Sequence, residues 1–107
     1  MKARILLIAA LFAASTSALA SSGDASAGKK KSTTCAACHG AEGISPSPEF
    51  PNLAGQYQDY LETAIKHYQN GKRKNPIMVA QVAKLSHKDV MDLAAYFSSQ
   101  KGLQVKH

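Results

Sequence analysis

Apolar residues in the second half of this chain recur at three- and four-residue steps, the rhythm of amphipathic helices. Tyr57, Tyr60, Leu61, Ala64, Ile65 and Tyr68 form one stripe, predicting a helix over about Gln56 to Asn70 that Gly71 closes. Val90, Leu93, Ala94 and Phe97 form a second stripe, with Tyr96 beside it. Its start is marked by Ser86 with Asp89 three residues on, a capping box, and its end by Lys101 and Gly102. Upstream, an Ala- and Lys-rich segment reads as a helix from about Asp24 to His39, capped by Ser22 or Asp24 and stopped by Gly40. A basic loop to Pro76 and Met78 leads into a short helical stretch around Val79 to Lys84. No segment reads as a strand, so the pattern predicts an all-α domain of about four helices. Ala41 to Gly55 is irregular and holds Pro46, Pro48 and Pro51. A loop that long in so small a domain is either disordered or wrapped around something.

The amino terminus belongs to a different kind of segment. Lys2 and Arg4 precede an apolar run from Ile5 to Ala14, and Ala18-Leu19-Ala20 has the small-x-small form of a signal-peptidase site. The run is too short for the ~20 residues that cross a bilayer, and no cysteine follows the cleavage site. Residues 1–20 therefore read as a secretory signal and 21–107 as the mature domain, exported to the periplasm with no transmembrane segment. The mature chain contains no Trp. At this size a lone apolar core contributes little net stability, so something besides side chains is expected to fill it.

Without Lys2 and Arg4 the chain carries eleven basic against seven acidic side chains, a formal +4 concentrated in Lys29–Lys31 and Lys72–Lys74. Export argues against nucleic acid as the partner. An acidic protein surface fits better, or weak association with an anionic membrane face, with the charge acting on encounter rate. A solvated basic face without a dedicated partner is the alternative.

The chemistry lies in Cys35-Ala36-Ala37-Cys38-His39. C-x-x-C-H is the spacing of c-type haem attachment, and one motif predicts one haem c per chain. On a helix, positions i, i+3 and i+4 share a face, so both thiols can add to the two vinyl groups of one haem edge while His39 reaches the iron. The other readings fit less well. A disulfide here would close a tiny loop and stabilise little. A thioredoxin-like dithiol wants a βαβ context, and a structural zinc site needs four closed ligands.

The sixth ligand decides between electron transfer and small-molecule chemistry. Met78, after Asn75-Pro76-Ile77, is placed in a loop where its thioether can reach the distal side, whereas Met91 falls within the last helix as core filler. His67, His87 and His107 are read as surface or packing residues. If Met78 did not bind, an open iron would suit a haem-based sensor or enzyme module.

With these residues in view, the chain resembles the class I cytochromes c of the small bacterial c5/c553 kind, and one haem domain of cytochrome c4. The resemblance rests on Ala27-Gly28-Lys29, the C-x-x-C-H motif with Gly40, Phe50-Pro51-Asn52-Leu53-Ala54-Gly55-Gln56-Tyr57, Asp59-Tyr60-Leu61, Asn70-Gly71-Lys72-Arg73, Met78, and Leu85-Ser86 with Asp92-Leu93-Ala94-Ala95-Tyr96. It implies a class I fold of about four helices around one covalently bound haem, with His39 and Met78 as axial ligands. It also implies that the Pro51 carbonyl accepts a hydrogen bond from His39, and that Gly28 crosses the last helix against Tyr96. Tyr60, Leu61 and Ile65 would lie near the haem, and Arg73 or Gln56 would contact a propionate. The implied role is an electron carrier rather than an enzyme, serving redox proteins such as a terminal oxidase, reductase or dehydrogenase. One departure is Lys30-Lys31-Ser32-Thr33-Thr34, where relatives place an apolar or aromatic residue. A cytochrome c4 would carry two attachment motifs; this chain has one.

Overall fold

The computed structural model describes residues 23–102. The predicted signal segment, the Ser22 cap and His107 lie outside the described residues. Five helices follow one another: α1 (Ala25–Lys31), α2 (Thr33–His39), α3 (Gln58–Gln69), α4 (Pro76–Val82) and α5 (His87–Ser99), with no strand among the described residues. This is the expected all-α class.

The predicted single helix from Asp24 to His39 is two helices. Asp24 caps α1, its carboxylate accepting from the Ser26 and Ala27 N–H groups. At Ser32 the backbone turns (φ −82°, ψ −2°), and the Ser32 hydroxyl donates to the Lys29 carbonyl at 2.7 Å. Serine's competition for backbone hydrogen bonds, followed by β-branched Thr33 and Thr34, accounts for a break here. Ser32 is buried, in the segment that departs from the family pattern.

Gly28 sets the main crossing, of α1 on α5. A Cβ there would collide with the Asp92 carbonyl oxygen and lie 2.8 Å from Tyr96 Cβ, so only glycine lets the backbones approach this closely. α5 is the central element. Val90, Leu93, Ala94, Tyr96 and Phe97 are all buried, and Leu93, Ala94, Tyr96 and Phe97 form the core with Leu61 of α3. α3 packs on α5, and α4 packs on α3. Ser86 and Asp89 form the expected capping box. The other end of α5 differs from expectation: it stops at Ser99, and Gln100 is extended (φ −76°, ψ 153°). Gly102 serves instead as a contact against Ala54 and Gly55.

The Pro-rich loop is ordered by its own bonds. The Gly43 carbonyl accepts from the N–H groups of Leu53 (2.8 Å) and Ala54 (3.1 Å), and the Gly55 N–H donates to the Phe97 carbonyl at 3.0 Å. The Tyr96 hydroxyl donates to the Ala41 carbonyl at 2.6 Å. Gly43 has a φ of +81°, and a Cβ there would lie 2.9 Å from the Phe97 ring. The loop is thus fastened to α5 at both ends and wraps what lies between.

A buried charge locks the first crossing. Asp92 is fully enclosed, and its carboxylate accepts from the Asp24 N–H (2.8 Å), Lys31 (2.7 Å) and Lys88 (2.9 Å). Lys31 also pairs with Asp89 at 2.8 Å. Lys31, then Lys88 and the Asp24 N–H, hold the Asp92 carboxyl well below the usual carboxylate range. Lys31, with the backbone and hydroxyl of Ser86, lowers Asp89 to about 2. Lys31 is therefore a tie between α1 and α5 rather than part of a free basic face.

Candidate functional site

α2 presents Cys35, Cys38 and His39 at positions i, i+3 and i+4. All three line one cavity of about 330 Å³ with a chiefly apolar wall, within the ~300–1,000 Å³ usual for ligand sites. α2 is stopped by Gly40 at φ +85°, which turns the chain into the loop. That loop brings Pro51 back beneath His39. The His39 Nδ1–H donates to the Pro51 carbonyl at 2.7 Å, and the ring is 6% exposed. A carbonyl only accepts, so the bond fixes the tautomer and leaves Nε2 with the free lone pair. Both cysteines are half-buried, and no disulfide joins them. Burial pushes the Cys35 thiol up, the opposite of the lowered thiol that a redox dithiol uses. Among the described residues no three His, Cys, Asp or Glu side chains gather as a metal set, so a closed zinc site lacks its donors.

Met78 lines the same cavity, from another element. It lies in the first turn of α4, not in a loop as the sequence suggested. Asn75 caps that helix, its Oδ1 accepting from the Ile77 (3.0 Å) and Met78 (3.2 Å) N–H groups, and Pro76 occupies the first turn, where its missing N–H costs nothing. Met91 is 7% exposed in the core and does not line the cavity. Neither His67 nor His87 lines it.

Four of the six residues of the α3 stripe face the cavity. Leu61, Ala64, Ile65 and Tyr68 line it, whereas Tyr57 and Tyr60 are 79% and 48% exposed. Tyr60 therefore does not lie on the cavity wall with Leu61 and Ile65. Its partner is Arg73, whose Nη2 donates to the Tyr60 hydroxyl at 3.0 Å and whose guanidinium lies 5.9 Å and 5.5 Å from the ring centres of Tyr60 and Tyr68. Neither Arg73 nor Gln56 lines the cavity. Sequence reasoning missed Val82 and Leu85, which complete the wall beside Met78. Val82 gave no signal beyond apolar spacing in a segment too short to show a period, and Leu85 entered only through the resemblance, without a site role.

The donor set fits a haem. Two thiols and one imidazole come from one helical turn, a thioether comes from a second helix, and all four line one chiefly apolar cavity. Fold and site together define a helical domain of the covalent haem-binding class.

The chain belongs to the cytochrome c family, whose profile matches residues 25–101. It is 45% identical over 97 residues to cytochrome c4 of Pseudomonas aeruginosa, covering 90% of this chain and 48% of that protein. It is 48% identical over 82 residues to cytochrome c-554(548) of Halomonas halodenitrificans, covering 74% of this chain and 99% of that one. Among solved structures, reduced recombinant cytochrome c4 from Pseudomonas stutzeri matches with a TM-score of 0.72 at 44% identity, over 76% of this chain and 47% of that one. The chain thus spans about half the length of the cytochrome c4 relatives it matches, and nearly all of cytochrome c-554(548). The fold is that of class I cytochromes c, and membership implies an electron-transfer protein with covalently bound haem c.

Proposed function

We propose that this protein is a periplasmic monohaem electron carrier, exported by cleavage of residues 1–20, with residues 21–107 forming the working domain. The observation that carries this reading is that Cys35, Cys38, His39 and Met78 line one apolar cavity from two separate helices. Haem bound there supplies a one-electron ferrous/ferric couple. Cys35 and Cys38 tether it through thioethers. His39 would offer Nε2 to the iron, and the Pro51 carbonyl holds the ring's orientation. Met78 would offer a thioether as a second iron ligand, a donor that favours the reduced state. Leu61, Ile65, Leu93 and Phe97 exclude water from the wall. No bond is made or broken on a substrate, so the protein is a carrier and not an enzyme. Its partners are redox proteins with acidic docking surfaces. No helix among the described residues is long and apolar enough to cross a membrane.

Met78 and Met91 provide the test. Met78→Ala should abolish the weak near-red band of sulfur-to-ferric ligation, lower the reduction potential and let carbon monoxide bind the reduced protein. Met91→Ala should leave all three unchanged. A five-coordinate wild-type spectrum would instead favour the sensor or enzyme reading.

A further inference from the structure

α4 is a short piece of the cavity wall with little to seat it. It has seven residues, packs chiefly on α3, and buries a single residue, Val82. Yet Asn75, Ile77, Met78, Gln81 and Val82 all line the cavity, and Leu85 joins them from the turn that follows. The last carbonyls of a helix have no partner within it. Beside an apolar cavity such oxygens are where water would enter, because an unpaired carbonyl is costly and water is its nearest substitute.

Here a side chain of α3 takes that place. Gln69, the last residue of α3, donates from Nε2 to the Val82 carbonyl at 2.9 Å and to the Leu85 carbonyl at 3.0 Å. A primary amide has two N–H hydrogens, and both are used. Carbonyls only accept, so the nitrogen and not Oε1 faces them. The Leu85 N–H also donates to the Val82 carbonyl, at 3.1 Å, so one oxygen ties the turn both to itself and to α3. Gln69 is exposed and does not line the cavity. The two residues it grips do line it, and Val82 is 3% exposed. Asn75 secures the opposite end of α4 through the Ile77 and Met78 N–H groups. The two amides divide the work: Asn75 holds the turn that carries Met78, and Gln69 holds the apolar wall beyond it.

We propose that Gln69 is a positioning residue for electron transfer: from outside the cavity it latches Val82 and Leu85 onto α3 and keeps water out of the haem site. This rests on the carrier reading above. Water at that wall would stabilise the ferric form, which carries one more positive charge, so the latch holds the reduction potential up. Gln69 is neutral, so the effect runs through the wall and not through a charge of its own.

The experiment compares the haem-loaded full chain with Gln69→Met and, as a control, Gln100→Met. Methionine keeps the length, neutrality and helix propensity of glutamine while removing its donors. Gln100 makes a matching bridge, from Nε2 to the Tyr96 carbonyl (3.2 Å) and the Ser99 hydroxyl (3.3 Å), and does not line the cavity. Gln69→Met should lower the reduction potential and keep the near-red band, because Met78 stays in place. Hydrogen exchange of the Leu85 N–H, followed by nuclear magnetic resonance on the reduced protein, should speed up about tenfold, the factor expected from losing one or two ordinary hydrogen bonds. Gln69→Ala should do the same. Gln100→Met should leave the potential and that exchange rate at wild-type values. An unchanged potential in both Gln69 variants would overturn the proposal. So would an equal fall in Gln100→Met, which would trace the effect to general loosening. Loss of the near-red band in Gln69→Met would also overturn it, since the latch would then be holding Met78 and not the wall. A wild type lacking a reversible one-electron couple would sink the carrier reading itself, which a normal couple with unmoved potentials would not.

Discussion

Gly28→Ala sets two physical effects against each other and predicts which one prevails. Helix propensity alone favours alanine by about 1 kcal/mol. The crossing opposes it. Carbon atoms pack best at about 3.5–4.0 Å, whereas the new Cβ would meet Tyr96 Cβ at 2.8 Å and the Asp92 carbonyl oxygen closer still. Relief requires α1 to withdraw from α5, which lengthens the bond from the Asp24 N–H to the Asp92 carboxylate, now 2.8 Å. Overpacking costs about 1–3 kcal/mol, and losing a hydrogen bond to a charged group about 1.5–3 more. The expected net is a destabilisation of about 2–5 kcal/mol. Urea unfolding of the haem-loaded protein, followed by far-ultraviolet circular dichroism, should show the midpoint falling by on the order of 1–2 M with an unchanged slope. Ser26→Ala, on the exposed side of the same helix, should leave the midpoint level or slightly raised. If Gly28→Ala were as stable as wild type, the close approach of α1 and α5 would not be a determinant of this fold.

Acid should weaken the same crossing. Asp92 and Asp89 titrate lower in the folded state than the ~3.9 of an unfolded aspartate. Their contribution is therefore fully present above about pH 4 and declines as pH falls toward about 2, the value for Asp89. Asp92→Asn should flatten stability against pH in that window, and a wild-type slope in this variant would refute the assignment. Tyr96→Phe removes the 2.6 Å bond to the Ala41 carbonyl. It should lower the unfolding free energy by about 1 kcal/mol and leave the near-red band unchanged, as denaturant titration and the oxidised spectrum will show.

The attachment turn was legible because its chemistry is local: one helical turn fixes how Cys35, Cys38 and His39 share a face, whatever the rest of the chain does. The capping box at Ser86 and the stop at Gly40 are local for the same reason. What sequence could not show depends on distant partners. Nothing near Asp92 announces that Asp24, Lys31 and Lys88 will surround it. The resemblance implied a propionate contact for Arg73, whereas the partners this fold gives it are two tyrosines of α3. Tyr60 shares the α3 period with Leu61, but the stripe is wider than the cavity, and its outer edge is free to hold that arginine.

Placing Met78 on the first turn of a helix, rather than in a loop, gives Asn75 a role that sequence did not suggest. Asn75 Oδ1 accepts from the N–H groups of both Ile77 and Met78, so the cap grips the backbone of the cavity-lining thioether itself. Removing such a cap costs about 0.5–2 kcal/mol. In a helix as short as α4 little else resists local opening, because isolated turns are marginal in water. Asn75→Ala should therefore open the Met78 side of the cavity. Carbon monoxide binding to the reduced protein should speed up about tenfold, the factor that 1.4 kcal/mol buys in an opening equilibrium. Ser86→Ala is the matched control. It removes a comparable cap from α5, a helix anchored along its length by Val90, Leu93 and Phe97. Its loss should appear in global unfolding and not in carbon monoxide binding. Equal acceleration in both variants would mean that Met78 is released by global loosening, and that the Asn75 cap has no special hold on it.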